Sequence, residues 1–285
     1  MTGDAADRSR RLIGALLGLL AFGVFARSLA SGFVYDAVAQ LGEDDFVHTP
    51  ANLIDVVTLR VMARDVLDFN RPVQLLSLML DALVWGRRPF GFHLSSVLLH
   101  LACVLLLYGL LLRWLDREGR PGLFAAALAA AAFALHPLGV EAVAEPSYRE
   151  ELLVAFFALL ALRLAESPRP GVRAGVVGCA LLAIGAKETG VVVIAALAAW
   201  WWLLAPRENG RDRRFLILLG AAVLVQAAFV WARFALATAD SQVFRQPAHY
   251  PNGSLGQAML LQPRIWALYL QHLVWPGGLS ADYTI

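Results

Sequence analysis

Four polar clusters interrupt an otherwise apolar sequence, and each has residue types that could do chemistry. The first is Phe33-Val34-Tyr35-Asp36. A carboxylate where an apolar segment ends can act as a general base when its partners are near. The plainer alternative is a solvated loop acid. The second is Asn70-Arg71-Pro72. An Arg at a helix start suits an anionic group such as phosphate, and equally a snorkelling interfacial side chain. The third runs from His136-Pro137 through Glu141 and Glu145 to Arg149, Glu150 and Glu151. It lacks the paired His or Cys spacing of a metal centre, so no metal is expected. The fourth is Ala186-Lys187-Glu188-Thr189. Lys187 is the single lysine among 24 basic residues and lies deep in an apolar stretch. A cation there must be paired, hydrated or functional. It either ties two helices together through an ion pair or faces a phosphate-bearing lipid.

The elements that must position these clusters follow from composition. The chain has 285 residues, 59% hydrophobic and 16% charged, with a mean hydropathy of +0.62. Soluble domains are roughly 45–50% apolar and about 25% charged. A water-soluble globule, a disordered chain and a disulfide-stapled module are therefore excluded, and an all-α polytopic membrane protein is expected. Cys103 and Cys179 fall inside apolar runs and read as small core residues. No basic stripe interleaves with aromatics, so nucleic acid is not an expected partner. Spans are read at about 12–31, 92–112, 121–137, 151–165, 172–186, 189–205, 215–237 and, more weakly, 258–275. The fourth and fifth are marginal against the roughly 17–20 residues that a crossing needs. His93 and His100, seven apart on one face of the second span, read as interhelical hydrogen-bond partners. Asn252-Gly253-Ser254 fits a glycosylation sequon and an ordinary turn alike.

Arg distribution sets the orientation. With the N-terminus in the cytoplasm, the cytoplasmic loops hold Arg113, Arg117 and Arg120, then Arg163, Arg169 and Arg173, then Arg207, Arg211, Arg213 and Arg214. Arg8, Arg10 and Arg11 before the first span, and Ser28-Leu29-Ala30 after it, also fit a signal peptide; an uncleaved first span is the adopted reading. This parity places all four clusters on the outer face. It also makes 32–91 one long, acidic outer loop, with 73–85 interfacial or re-entrant and 55–69 a second interfacial helix carrying Arg64 and Asp68 on a solvated face.

Taken in order, the clusters resemble the membrane half of the transmembrane-and-tetratricopeptide-repeat O-mannosyltransferases and their bacterial relatives, within the GT-C glycosyltransferases. The resemblance rests on Phe33-Val34-Tyr35-Asp36, Asn70-Arg71-Pro72, Pro89-Phe90-Gly91-Phe92-His93 with Leu99-His100, and Phe133-Ala134-Leu135-His136-Pro137. It continues through Glu141-Ala142-Val143-Ala144, Arg149-Glu150-Glu151-Leu152-Leu153, Lys187-Glu188-Thr189-Gly190 and Leu279-Ser280-Ala281-Asp282-Tyr283. Two departures stand out. Ala37 replaces the family's second acid after the Tyr, and Leu138-Gly139-Val140 replaces its His-Thr pair.

The resemblance implies a single GT-C-like helical bundle over 1–285, incomplete at its C-terminus: a fragment, a minimal version or a degenerate copy, with a partner chain completing the fold as one alternative. It implies inverting transfer of a sugar, mannose by family habit, from a polyprenyl-phosphate donor to a Ser or Thr hydroxyl of a secreted protein. Asp36 would be the base. Arg71, Arg149, Lys187 and His136 would hold the donor phosphate, with Tyr35, Glu141, Glu188 and His93 in support. The lipid-phosphate sugar is a co-substrate, and no other cofactor is expected. The Arg bias suits a bacterial plasma membrane. An inactive relative serving as a membrane scaffold, or a lipid or solute transporter segment, remains the alternative.

Overall fold

A computed structural model describes residues 3–117, 122–167, 169–205, 213–236 and 254–280. Arg120, Arg207, Arg211, Asn252, Gly253, Ala281, Asp282 and Tyr283 lie outside the described residues. The described residues form helices and turns without strands, and the chain is a multi-pass integral membrane bundle. In hydrocarbon a helix satisfies every backbone polar group internally, which is why apolar runs of this length fold this way.

The order is α1 (Gly3–Phe25), α2 (Leu53–Val57), α3 (Pro72–Trp85), α4 (Pro89–Arg117), α5 (Leu123–Leu135) and α6 (Val140–Ala144). It continues with α7 (Glu150–Ala165), α8 (Pro170–Ala186), α9 (Val192–Leu203), α10 (Arg213–Leu236) and α11 (Leu255–Val274). Pro72 and Pro170 sit in the first turns of α3 and α8, where a missing N–H costs nothing. Among the described residues, three helices are long and apolar enough to cross a membrane: Asp4–Ala30, Pro89–Asp116 and Arg214–Leu236. Leu123–Leu135 and Pro137–Ala144 make a fourth, bent by 49° at His136. The regions 172–186 and 189–205 form shorter apolar helices, Gly171–Ala186 and Glu188–Leu203, which meet end to end at Lys187. The eighth expected segment is helical as α11, with Pro263 inside it, but is less apolar than the four crossings.

Helix α4 is the central post. On one side Val104, Tyr108 and Leu112 pack against Leu17 and Ala21 of α1 and the Ala126, Ala130, Ala134 stripe of α5. On the other, Leu110 joins α7, α8, α9 and α10 in the largest core, with Ala161, Ala180, Leu197 and Phe215 buried there. Small residues at these contacts let membrane helices approach closely.

The region 32–91 carries its own apolar core of Ala37, Leu41, Phe46, Val56, Val61, Leu75, Leu78 and Met79, closed by Phe92 of α4. This corrects one expectation. Residues 55–69 are not one helix, because α2 ends at Val57 and Leu59 adopts a left-handed φ of 61° before a short 3-10 turn at Arg60–Ala63. The expected Arg64–Asp68 face is divided too: Arg64 pairs with Asp55, and Asp68 with Arg71. Folding Val56, Val61 and Met62 inward buries more apolar surface than a continuous surface helix would.

Candidate functional site

The candidate site forms where 32–91 meets the N-terminus of α7 and the α8–α9 break. Arg71 is the N-cap of α3. Its Nη1 donates to Asp68 Oδ1 at 2.7 Å and Glu150 Oε1 at 3.2 Å, and its Nε lies 3.7 Å from Glu188 Oε2. Lys187 is extended, with φ −159° and ψ 157°, so its side chain leaves the helix path. Its Nζ reaches Glu151 Oε1 at 2.5 Å and Glu150 Oε1 at 3.3 Å. Glu188 accepts from Asn70 Nδ2 at 3.1 Å and Arg233 Nη1 at 2.7 Å. Three cations from α3, the α8–α9 break and α10 thus interleave with the carboxylates of Asp68, Glu150, Glu151 and Glu188.

Local sequence explains the convergence. Gly190 lets the turn after Lys187 press against α8, since a Cβ there would stand 2.3 Å from the Ala183 C and O atoms. The buried Gln226 side chain of α10 donates to both Ala180 O and Gly190 O at 3.0 Å. One side chain of α10 thereby ties α8 to the turn that follows Lys187. Asp68 has a left-handed φ of 56°, tolerated by its short polar side chain, and turns the chain into Asn70 and Arg71.

Asp36 is exposed and follows Tyr35, whose φ is 48°. Two of the three left-handed non-glycine residues among the described residues thus flank candidate site groups, where backbone strain concentrates. Tyr148 donates its hydroxyl to Asp36 Oδ2 at 3.4 Å. Gln40 joins this side to the cation cluster by donating to Asp68 Oδ2 at 3.1 Å. Burial pushes the Asp68 carboxyl up, against the pull of Arg71 and the Gln40 amide. Burial also raises Glu145, opposed by the Ser147 hydroxyl and N–H that its carboxylate accepts. Burial, followed by the charges of Asp36 and Glu141, pushes the Tyr148 phenol up to about 12.

The structure therefore gathers Arg71, Lys187 and Glu188, and carries Asp36, Tyr35 and Glu141 at the same end of the bundle. It places three other expected site residues elsewhere. Arg149 is fully engaged inside the protein: Nη1 pairs with Asp81 Oδ2 at 2.6 Å, Nε donates to Ser96 Oγ and Nη2 to Phe92 O. It holds α3, α4 and α7 together. His136 faces α11, with Nε2 3.1 Å from Leu273 O and Nδ1 accepting from Leu138 N. His100 Nε2 lies 3.3 Å from Ala134 O of α5, an interhelical contact of the expected kind, whereas His93 is buried against Gly32 O at 3.4 Å, outside any helix.

Arg233 and Asp68 join the site without being singled out by the residue pattern, and Glu150, part of the third cluster, gains its bridging role only from the fold. Arg233 carried the signal that singled out Lys187, a cation within an apolar helix.

Comparison with known proteins adds one finding. Over 164 residues, 55% of this chain, the sequence is 34% identical to protein O-mannosyl-transferase Tmtc1 of Drosophila melanogaster. The match spans 18% of that relative's length. No protein-family model and no solved structure matches.

Proposed function

We propose that this chain is a membrane glycosyltransferase domain that moves mannose from a polyprenyl-phosphate donor to a Ser or Thr hydroxyl. The observation that carries the reading is the meeting of Arg71 and Lys187 around Glu150, although 116 positions separate them in sequence. The similarity to an O-mannosyl-transferase supports the same chemistry. The N-terminus lies in the cytoplasm, so this end of the bundle faces outward, across a bacterial plasma membrane.

Transfer runs by single displacement. The acceptor hydroxyl attacks the anomeric carbon from the face opposite the phosphate. The bond from that carbon to the phosphate oxygen breaks, the configuration inverts, and Asp36 takes the hydroxyl proton. Charge grows on the departing lipid phosphate, so Arg71 and Lys187 help more in the transition state than in the ground state. An Arg fork and a Lys point charge suit a phosphate in complementary ways. Tyr148 donates a hydrogen bond to Asp36 and so helps fix the orientation of that carboxylate.

The test is transfer of labelled mannose from polyprenyl-phosphate mannose to a Ser/Thr-rich peptide by the purified chain in lipid nanodiscs. Wild type transfers. Asp36→Asn keeps insertion and helix content and loses transfer. Full activity in that variant removes Asp36 from the reaction, and an inactive wild type overturns the proposal.

A further inference from the structure

The cluster contains two kinds of acid. Glu150 is 1% exposed and bridges Arg71 and Lys187, so it has no path into water. Glu188 is different. Its side chain is 40% exposed and projects from a short 3-10 turn. Its carboxylate is nonetheless faced by three side chains from two elements, Arg233 Nη1 of α10 at 2.7 Å and, from the turn into α3, Asn70 Nδ2 at 3.1 Å and Arg71 Nε at 3.7 Å. The Arg71 Nε is buried and has no hydrogen-bond partner among the described residues, and the carboxylate is too far away to satisfy it. Two carboxylate oxygens thus fill a place whose donors suit a larger tetrahedral anion.

We infer that Glu188 occupies an anion seat built by Arg71, Arg233 and Asn70, and that a lipid phosphate enters by displacing its carboxylate into water. The inference rests on the donor chemistry proposed above and adds Arg233 and Asn70 to the phosphate contacts. The seat belongs to a lipid because α3, α8 and α10, which frame it, expose apolar side chains such as Leu80, Leu181 and Trp231. Displacement is feasible for Glu188 because its charge is rehydrated as it leaves, whereas a fully buried carboxylate that lost its cations would stay desolvated and unpaired.

The experiment measures binding of polyprenyl monophosphate to the whole chain in nanodiscs, beside the uncharged polyprenol of equal length and inorganic phosphate. Removing the competing charge with Glu188→Gln is expected to tighten lipid-phosphate binding at least about fivefold. Arg233→Gln is expected to weaken it about tenfold or more, with Arg233→Lys between. A purely structural Glu188 predicts the opposite sign, because its loss would loosen the cluster. Weaker or unchanged binding by Glu188→Gln overturns the seat, as does unchanged binding by Arg233→Gln. The same order of variants with polyprenol also overturns it, since the variants then act on chain packing. Inorganic phosphate binding as tightly as the lipid overturns the lipid assignment. Intact binding in this order with no sugar transfer leaves the seat standing and removes only the catalytic reading.

Discussion

Two arginine-centred clusters lie close together in this fold and are built for opposite purposes. Around Arg149, the side chains are 3% and 11% exposed for Arg149 and Asp81, and each guanidinium nitrogen has a partner, Ser96 and the Phe92 carbonyl besides Asp81. Around Arg71, the charges are spread over Asp68, Glu150, Glu188 and Lys187, several of them partly exposed, and Arg71 Nε is left unpaired. The first arrangement is closed and fixes three helices. The second is open, over-supplied with acids and able to exchange one. An arginine's role here is decided less by its residue type than by whether water and an incoming anion can reach its donors.

The comparison can be broken at several points. The largest effect is expected at the closed cluster. Asp81→Ala strands Arg149 inside the protein and should cost about 3–5 kcal/mol, enough to lose the folded state in a thermal melt in detergent. Replacing both partners with apolar residues of similar size should restore much of that stability; a double variant as unstable as the single one would mean that Arg149 does more than satisfy Asp81.

Gly190→Ala comes next. Its Cβ would clash with the Ala183 backbone, displacing Lys187 and Glu188 together. Overpacking of this kind costs about 1–3 kcal/mol. Lipid-phosphate binding should fall with it, and a variant with wild-type binding would show that the tight turn is not what places Lys187.

At the open cluster, Lys187→Ala should cost less stability than Asp81→Ala, because Glu150 keeps Arg71 and Glu151 is exposed to water. It should still weaken lipid-phosphate binding about tenfold, the loss of one charged contact of about 1.5 kcal/mol. Unchanged binding would return Lys187 to a purely structural ion pair with Glu151.

The smallest effect concerns pH. Glu145 is held above the ordinary carboxylate range by burial. The folded chain therefore keeps this proton to higher pH than the unfolded chain does, and stability from this group falls as pH rises from about 4. Wild type should lose a few degrees of melting temperature relative to Glu145→Gln between that pH and neutrality. A parallel pair of curves would mean that the Ser147 hydrogen bonds offset the burial.

Much was legible from residue order alone. Apolar runs and the distribution of Arg were enough to expect a helical membrane bundle, because hydrocarbon admits few other backbones. Lys187 and the His93–His100 pair stood out as polar groups where lipid makes them costly. What failed at 55–69 was a short-range inference: an i,i+4 pair suggested a surface helix, while long-range burial of Val56, Val61 and Met62 bent the chain instead. The separation of Arg71 from Arg149 was also unreadable, since both precede a helix and both have acids nearby in sequence.

The sequence by itself determined the class of fold and which residues carry charge into an apolar setting, since both follow from local transfer energies. Only the tertiary structure decided which charges meet. Arg71, Lys187 and Arg233 come together because Gly190 admits a close backbone approach and Gln226 pins the α8–α9 break to α10. Contacts between residues more than a hundred positions apart depend on packing geometry, which no local pattern along the chain encodes.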